Sequence, residues 1–95
     1  MYVRITRGQA QPGKLDDLAA AWKQFVGDQL PGISGFRNAY FTGNRSSNTV
    51  MAFAVWEAEP DESLLNPILQ DFVSRARELV VGPPTVEIYE VLEQL

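Results

Sequence analysis

Seven consecutive residues, Val50-Met51-Ala52-Phe53-Ala54-Val55-Trp56, carry no polar side chain. Read as a strand over Thr49 to Glu57, they turn apolar side chains alternately to both faces of a sheet, so neither face is meant for water. Any fold containing this strand needs a layer on each side of it. The chain has 95 residues, enough for one domain with a single core that buries about 60–65% of the surface of the unfolded chain.

The remaining elements follow from hydrophobic period and breakers. Tyr2 to Gln9 alternates, with Val3 and Ile5 on one side and Arg4 and Thr6 on the other, until Gly8 and Pro12-Gly13 interrupt it. From Lys14 to Leu30, Leu15, Leu18, Ala19, Trp22, Phe25, Val26 and Leu30 recur at helical steps. Asp16 and Asp17 sit in the first turn, where they complement the helix dipole. Pro31-Gly32 should stop this helix, and Gly35 should release the chain into a second strand, Phe36 to Thr42. Gly43 to Asn48 suits a turn wider than two residues before the Thr49–Glu57 strand. Glu59 to Ser63 reads as an exposed loop, with a short helical turn at Leu64 and Leu65 as an option. Asn66-Pro67 has the form of an N-cap followed by proline at the first helical position, and Ile68, Leu69, Phe72, Val73, Ala76, Leu79 and Val80 keep one face of a second helix apolar. Gly82-Pro83-Pro84 ends it, and Thr85 to Leu92 resumes strand alternation.

The order is therefore β-α-β-β-α-β: an α+β, ferredoxin-like domain over residues 1–95, with a four-stranded antiparallel sheet and both helices on one face. That arrangement leaves the second face of the doubly apolar strand bare. A second copy packed sheet to sheet would cover it, so a homodimer is expected.

Composition closes off much chemistry. The chain has no cysteine and no histidine, which removes disulfides, thiolates, the commonest metal ligand and the commonest general base; no metal site and no cofactor are expected. A net charge of −4 opposes phosphate backbones, so nucleic acid is not an expected partner. No stretch approaches the roughly 20 apolar residues of a membrane span, and Met1 to Arg7 lacks the apolar core of a signal peptide, which points to a cytoplasmic protein without a membrane partner.

Pro12-Gly13-Lys14 opening the first helix, Leu30-Pro31-Gly32 closing it, Gly35-Phe36 opening the second strand and Val55-Trp56-Glu57 closing the third together resemble the antibiotic biosynthesis monooxygenase-like domains of the dimeric α+β barrel superfamily, over about residues 2 to 91. The resemblance implies a homodimer whose two sheets form a barrel. It also implies a pocket in each subunit between sheet and helices, where some members oxidise aromatic substrates without a cofactor and others have no known reaction. Trp56 matches a tryptophan that lines the pocket in related enzymes. Haem-degrading relatives ligate iron through a histidine that this chain lacks, and where many active members carry an asparagine on the first strand this chain has Arg4 and Thr6.

The candidate ligand contacts are Trp56, Asn38, Tyr40, Arg4 and Tyr89; no catalytic residue is singled out. Trp56 offers a surface for stacking, and Ala52 and Ala54 on its strand face leave room beneath the helices. Asn38 shares strand parity with Phe36 and Tyr40, and an amide on a buried face needs a partner. Tyr40 and Tyr89 carry hydroxyls that reach a carbonyl or phenol, and Arg4, like Arg37, holds a charge that fixes an anion. Each has a plain alternative as packing, edge or salt-bridge residue, and Trp22 reads as core. The function readings stay open between a cofactor-free monooxygenase acting on an aromatic, polyketide-like or quinonoid molecule, a non-catalytic or stress-associated dimeric module holding an apolar metabolite, and a structural dimer with a filled core. Two other families with this topology are set aside. The aromatic signature of RNA-recognition motifs belongs on the third strand in basic surroundings, whereas here Gly35 to Phe41 falls on the second strand of an acidic chain. Gly8 to Gly13 does not form the phosphate-cradling loop of acylphosphatases.

Overall fold

In a computed structural model that describes residues 1–95, the apolar run is the interior strand that organises the sheet. The elements are β1 (Tyr2–Gln9), α1 (Leu15–Phe25), a single 3₁₀ turn (Leu30–Gly32), β2 (Phe36–Asn44), β3 (Thr49–Trp56), α2 (Glu62–Arg75) and β4 (Thr85–Glu90). The strand order is β2-β3-β1-β4, antiparallel throughout, so β3 is hydrogen-bonded on both edges. This is the ferredoxin-like arrangement expected from the sequence.

Cross-strand pairing assigns every side chain to a face, because residues directly opposite one another point the same way. Trp56, Ala54, Ala52 and Val50 share a face with Tyr2, Arg4, Thr6 and Gly8 of β1. Ala39, Phe41 and Gly43 of β2 and Val86 and Ile88 of β4 lie on it too. The helices cover this face: the Trp22 ring of α1 meets Phe41 with centroids 5.5 Å apart, and Arg4 reaches Glu62 of α2. Gly43 leaves room for the Leu15 side chain of α1: a Cβ there would stand 2.9 Å from Leu15 Cδ2. The buried core, Leu18, Val26, Leu30, Val50, Trp56, Leu65, Leu69, Phe72 and Ala76 with Ala10, lies wholly in this layer.

The other face is bare. Val3, Ile5, Met51, Phe53 and Val55 are only half-buried and none packs against the core, while Tyr40 and Tyr89 beside them are exposed. Hydrophobicity alone would turn Val3 and Ile5 toward the helices. Register overrides it, because the strand that carries Trp56 and Val50 inward turns Arg4 and Thr6 inward with them.

Several boundaries differ from the sequence reading. The first helix stops at Phe25, well before Leu30. The Gly27 N–H joins that of Val26 on the Trp22 carbonyl and not on that of Lys23, so the helical ladder ends there; a Cβ at Gly27 would lie 2.7 Å from the Lys23 carbonyl oxygen, and Pro31 falls in a separate 3₁₀ turn. The second helix is capped by Asp61, whose carboxylate accepts hydrogen bonds from the Ser63 N–H (2.9 Å) and hydroxyl (2.6 Å). Those bonds hold the Asp61 carboxyl below its ordinary pKa. Asn66 is thus not the cap, and Pro67 lies inside the helix rather than at its first position. A side-chain acceptor poised on the orphan amides of the first turn outweighs proline's preference for the first position. The helix ends at Arg75, and Val80 instead forms a bridge with Ala10. β2 runs on to Asn44, β3 stops at Trp56 and β4 stops at Glu90. The β2–β3 turn is wide, as expected, with Asn48 at φ 60° and its N–H on the Asn44 carbonyl at 2.7 Å.

Candidate functional site

The small side chains of Ala52 and Ala54 leave space between the sheet and the two helices, and a cavity of about 80 Å³ lies there. Sixteen of its 23 lining residues are hydrophobic, among them Leu18 and Trp22 of α1, Phe41 of β2, and Leu65, Leu69 and Phe72 of α2. No carboxylate, lysine or tyrosine is among the 23. The polar part of the wall comes from β1, through Arg4, Thr6, Arg7 and Gln9.

Trp56 forms the end of this wall on β3. It is 2% exposed and its ring packs edge-on against Phe36, with centroids 5.4 Å and planes 71° apart. Its indole Nε1–H is the one buried side-chain polar atom in the chain with no hydrogen-bond partner. A buried donor without an acceptor costs about 1–3 kcal/mol, and native interiors rarely leave one so.

Arg4 faces the same space from β1. Its Nε donates to Glu62 Oε2 at 2.9 Å, its Nη2 to Glu62 Oε1 at 3.3 Å and its Nη1 to the Thr6 hydroxyl at 3.4 Å. The arginine side chain is 10% exposed and the Glu62 side chain 44% exposed. The guanidinium is therefore fixed inside, held by a carboxylate with one side in water. Arg4 stands opposite Ala54, and Trp56 lies two residues further along the same face of β3, so the two polar groups are diagonal neighbours across the pair.

Of the five residues singled out from the sequence, Arg4 and Trp56 are thus brought together at the cavity. Asn38, Tyr40 and Tyr89 lie on the bare face of the sheet, opposite Val55, Phe53 and Val3 respectively. The expected shared parity of Phe36 and Asn38 fails because the β2–β3 register shifts between them. A bulge takes up one extra residue and turns everything beyond it to the other face, so Phe36 packs on Trp56 while Asn38 and Tyr40 point away. Arg37 pairs with Glu57 at 3.1 Å on the surface.

On the bare face, Tyr89 donates to the Glu87 carboxylate, which also accepts from Arg7 Nε at 2.7 Å. The Tyr89 and then the Arg7 hydrogen bonds pull the Glu87 carboxyl below its ordinary range, and Glu87 pushes the Tyr89 phenol above its ordinary value of 10.0.

Sequence reasoning misses Glu62 and assigns Trp22 to the core alone. Glu62 escapes because the charged, proline-containing stretch around it reads as a loop. The signal that finds it is Asp61-Glu62-Ser63, an N-cap with an acid at the first helical position and a hydroxyl next to it. No group of three or more His, Cys, Asp or Glu side chains is arranged to hold a metal ion, and no helix is long and apolar enough to cross a membrane.

No protein-family model matches the sequence, and no curated protein matches it. Solved structures do. A monooxygenase from the gene ActVA-Orf6 of Streptomyces coelicolor, in complex with nanaomycin D, superposes with a TM-score of 0.77 at 17% identity, covering 99% of this chain and 89% of the other. A protein of Nitrosomonas europaea, provisionally described as an antibiotic biosynthesis monooxygenase, gives 0.76 at 14% identity over 98% and 100% of the two chains. A point mutant of SnoaB, a cofactor-independent oxygenase from Streptomyces nogalater, gives 0.68 at 16% identity over 99% and 95%. At these identities the likeness shows the fold: this chain has the antibiotic biosynthesis monooxygenase-like fold along its whole length.

Proposed function

We propose that the chain is a cofactor-free monooxygenase of planar aromatic, phenolic or quinonoid molecules, bound in the cavity beneath the helices and acting as a cytoplasmic homodimer. The observation that carries this reading is the unpartnered, buried Nε1–H of Trp56 in the wall of a mainly apolar cavity. Such a donor fits a ligand carbonyl or phenolate oxygen presented from inside. In this chemistry the deprotonated aromatic itself reduces oxygen; one oxygen atom enters the product and the other leaves as water. The protein's part is to hold the ring, exclude water and stabilise the developing oxyanion. Trp56 and Arg4 supply the two donors for that. Structural neighbours that are oxygenases support the reading at the level of fold.

The dimer rests on the uncovered face. Val3, Ile5, Met51, Phe53 and Val55 form a continuous apolar surface on the side away from the helices, and a second sheet would bury it along with Asn38, Tyr40 and Tyr89.

A second reading, a module that binds an apolar metabolite without turning it over, is favoured by one feature: no carboxylate, lysine or tyrosine lines the cavity to act as a general base. Oxygen uptake decides between the two. The oxygenase reading expects consumption of oxygen with a phenolic or hydroquinone compound and no added flavin, metal or nicotinamide, reduced at least fivefold by Trp56→Phe. Ligand-dependent thermal stabilisation with no uptake above background would establish the binding module instead.

A further inference from the structure

The Arg4–Glu62 pair and the size of the cavity point to a further property of the site. A cavity of about 80 Å³ is roughly half the 150 Å³ or so of an engineered apolar cavity that takes up benzene. It does not admit a fused aromatic without movement of a wall. The two partners of the pair differ in what they can do. Arg4 lies on the central strand β1, is 10% exposed and also binds the Thr6 hydroxyl, so its guanidinium has nowhere else to go. Glu62 is the first residue of α2 and 44% exposed, so its carboxylate can turn into water and be solvated there at little cost.

We propose that Glu62 occupies the place of a ligand carboxylate, and that the Arg4–Glu62 pair is an exchangeable latch selecting planar aromatic acids. This rests on the reading of the cavity as the ligand site. Glu62 grips Arg4 through two parallel N–H···O contacts, 2.9 and 3.3 Å, the side-on geometry that any carboxylate adopts on a guanidinium. An incoming aromatic carboxylate takes over both contacts, releases the first turn of α2 from the sheet and places its ring against the apolar wall. The Trp56 Nε1–H, diagonal to Arg4, then remains for a second ligand oxygen. A neutral aromatic cannot displace Glu62, because doing so leaves a nearly buried guanidinium without a counter-charge.

The test is calorimetric titration with 2-naphthoate and with its neutral isostere 2-naphthamide. The wild-type protein binds the acid in preference to the amide. Glu62→Gln removes the competing carboxylate and strengthens naphthoate binding roughly five- to tenfold, leaving naphthamide within about twofold. Arg4→Gln abolishes the preference. Asp71→Asn, which removes an equal charge elsewhere on α2 where Asp71 pairs with Arg75, changes neither affinity. Equal binding of both probes by wild type and Glu62→Gln overturns the latch while leaving the cavity as a ligand site. A gain for Asp71→Asn equal to that of Glu62→Gln also overturns it, since the effect would then be net charge. No binding of either probe to any variant overturns the cavity reading and the latch with it.

Discussion

Replacing Trp56 with phenylalanine sets two opposed effects against each other. The side chain is 2% exposed, and Trp→Phe in a rigid core leaves a residual cavity of roughly 40 Å³, which at about 24 cal/mol per Å³ costs about 1 kcal/mol, with a further ~1 kcal/mol of lost transfer energy. The edge-on contact with Phe36, worth about 0.5–1.5 kcal/mol, is largely kept by a second phenyl ring. Against this stands the indole Nε1–H, buried without a partner, whose removal returns about 1–3 kcal/mol of desolvation. The two nearly cancel. Trp56→Phe should change unfolding free energy by no more than about 1 kcal/mol, or by about 4–8 °C in Tm for a chain of this size. Trp56→Ala should cost about 3–5 kcal/mol. Urea denaturation followed by far-ultraviolet circular dichroism measures both, with the m-value checked for constancy. The same Phe substitution should weaken binding of a carbonyl-bearing ligand by a factor of about 3–10, the value of one hydrogen bond. A loss above about 2 kcal/mol in the unliganded protein would refute the reasoning, because it would mean that the indole N–H is already satisfied, by water for instance, and is not held ready for a ligand.

Pro67 lies inside α2 and is exposed. Pro67→Ala restores a donor to the Ser63 carbonyl and should stabilise the protein by about 2–2.5 kcal/mol, the helix-interior penalty of proline less its entropic benefit in the unfolded chain; no gain in thermal melting would contradict the observed helix start. Phe53→Asp puts a charge in the middle of the bare sheet face. Sedimentation should give a dimer for the wild type at micromolar concentration and a monomer for the variant, and a monomeric wild type would refute sheet-to-sheet assembly. The Tyr89 phenol is raised by Glu87, so in an alkaline titration of the tyrosine absorbance the component lost in Tyr89→Phe should ionise above the ordinary 10.0. The sign for stability follows: the Tyr89 contribution is fully present below the ordinary tyrosine pKa and is lost as pH rises through the elevated folded value. The Glu87 contribution is present above its ordinary 4.5 and is lost as pH falls through its depressed folded value.

How far the sequence determined this protein depended on the range of the interaction. The β-α-β-β-α-β order, the doubly apolar character of the Val50–Trp56 strand and the room left by Ala52 and Ala54 were all legible, because period and side-chain size are local properties that the sheet merely assembles. Helix ends were less so. Asn66-Pro67 looks like a start, and Asp61 with its two hydrogen bonds to Ser63 is one, since a satisfied cap outweighs a positional preference of proline. The candidate site divides along the same line. Trp56 lines the cavity and so does Arg4, but nothing within the β1 sequence says that Arg4 rather than Val3 turns toward the helices. That follows only when Arg4 is paired with Ala54 and Tyr2 with Trp56 across the strands. Asn38 and Tyr40 are turned outward by a one-residue bulge, a feature with no signature in residue type because it is fixed by how two strands fit together. Glu62, 58 residues from Arg4, joins the site through the tertiary fold alone. The sequence decided which elements form and which of them are apolar on both faces; register and helix docking, which depend on contacts between distant segments, decided which side chains face the cavity.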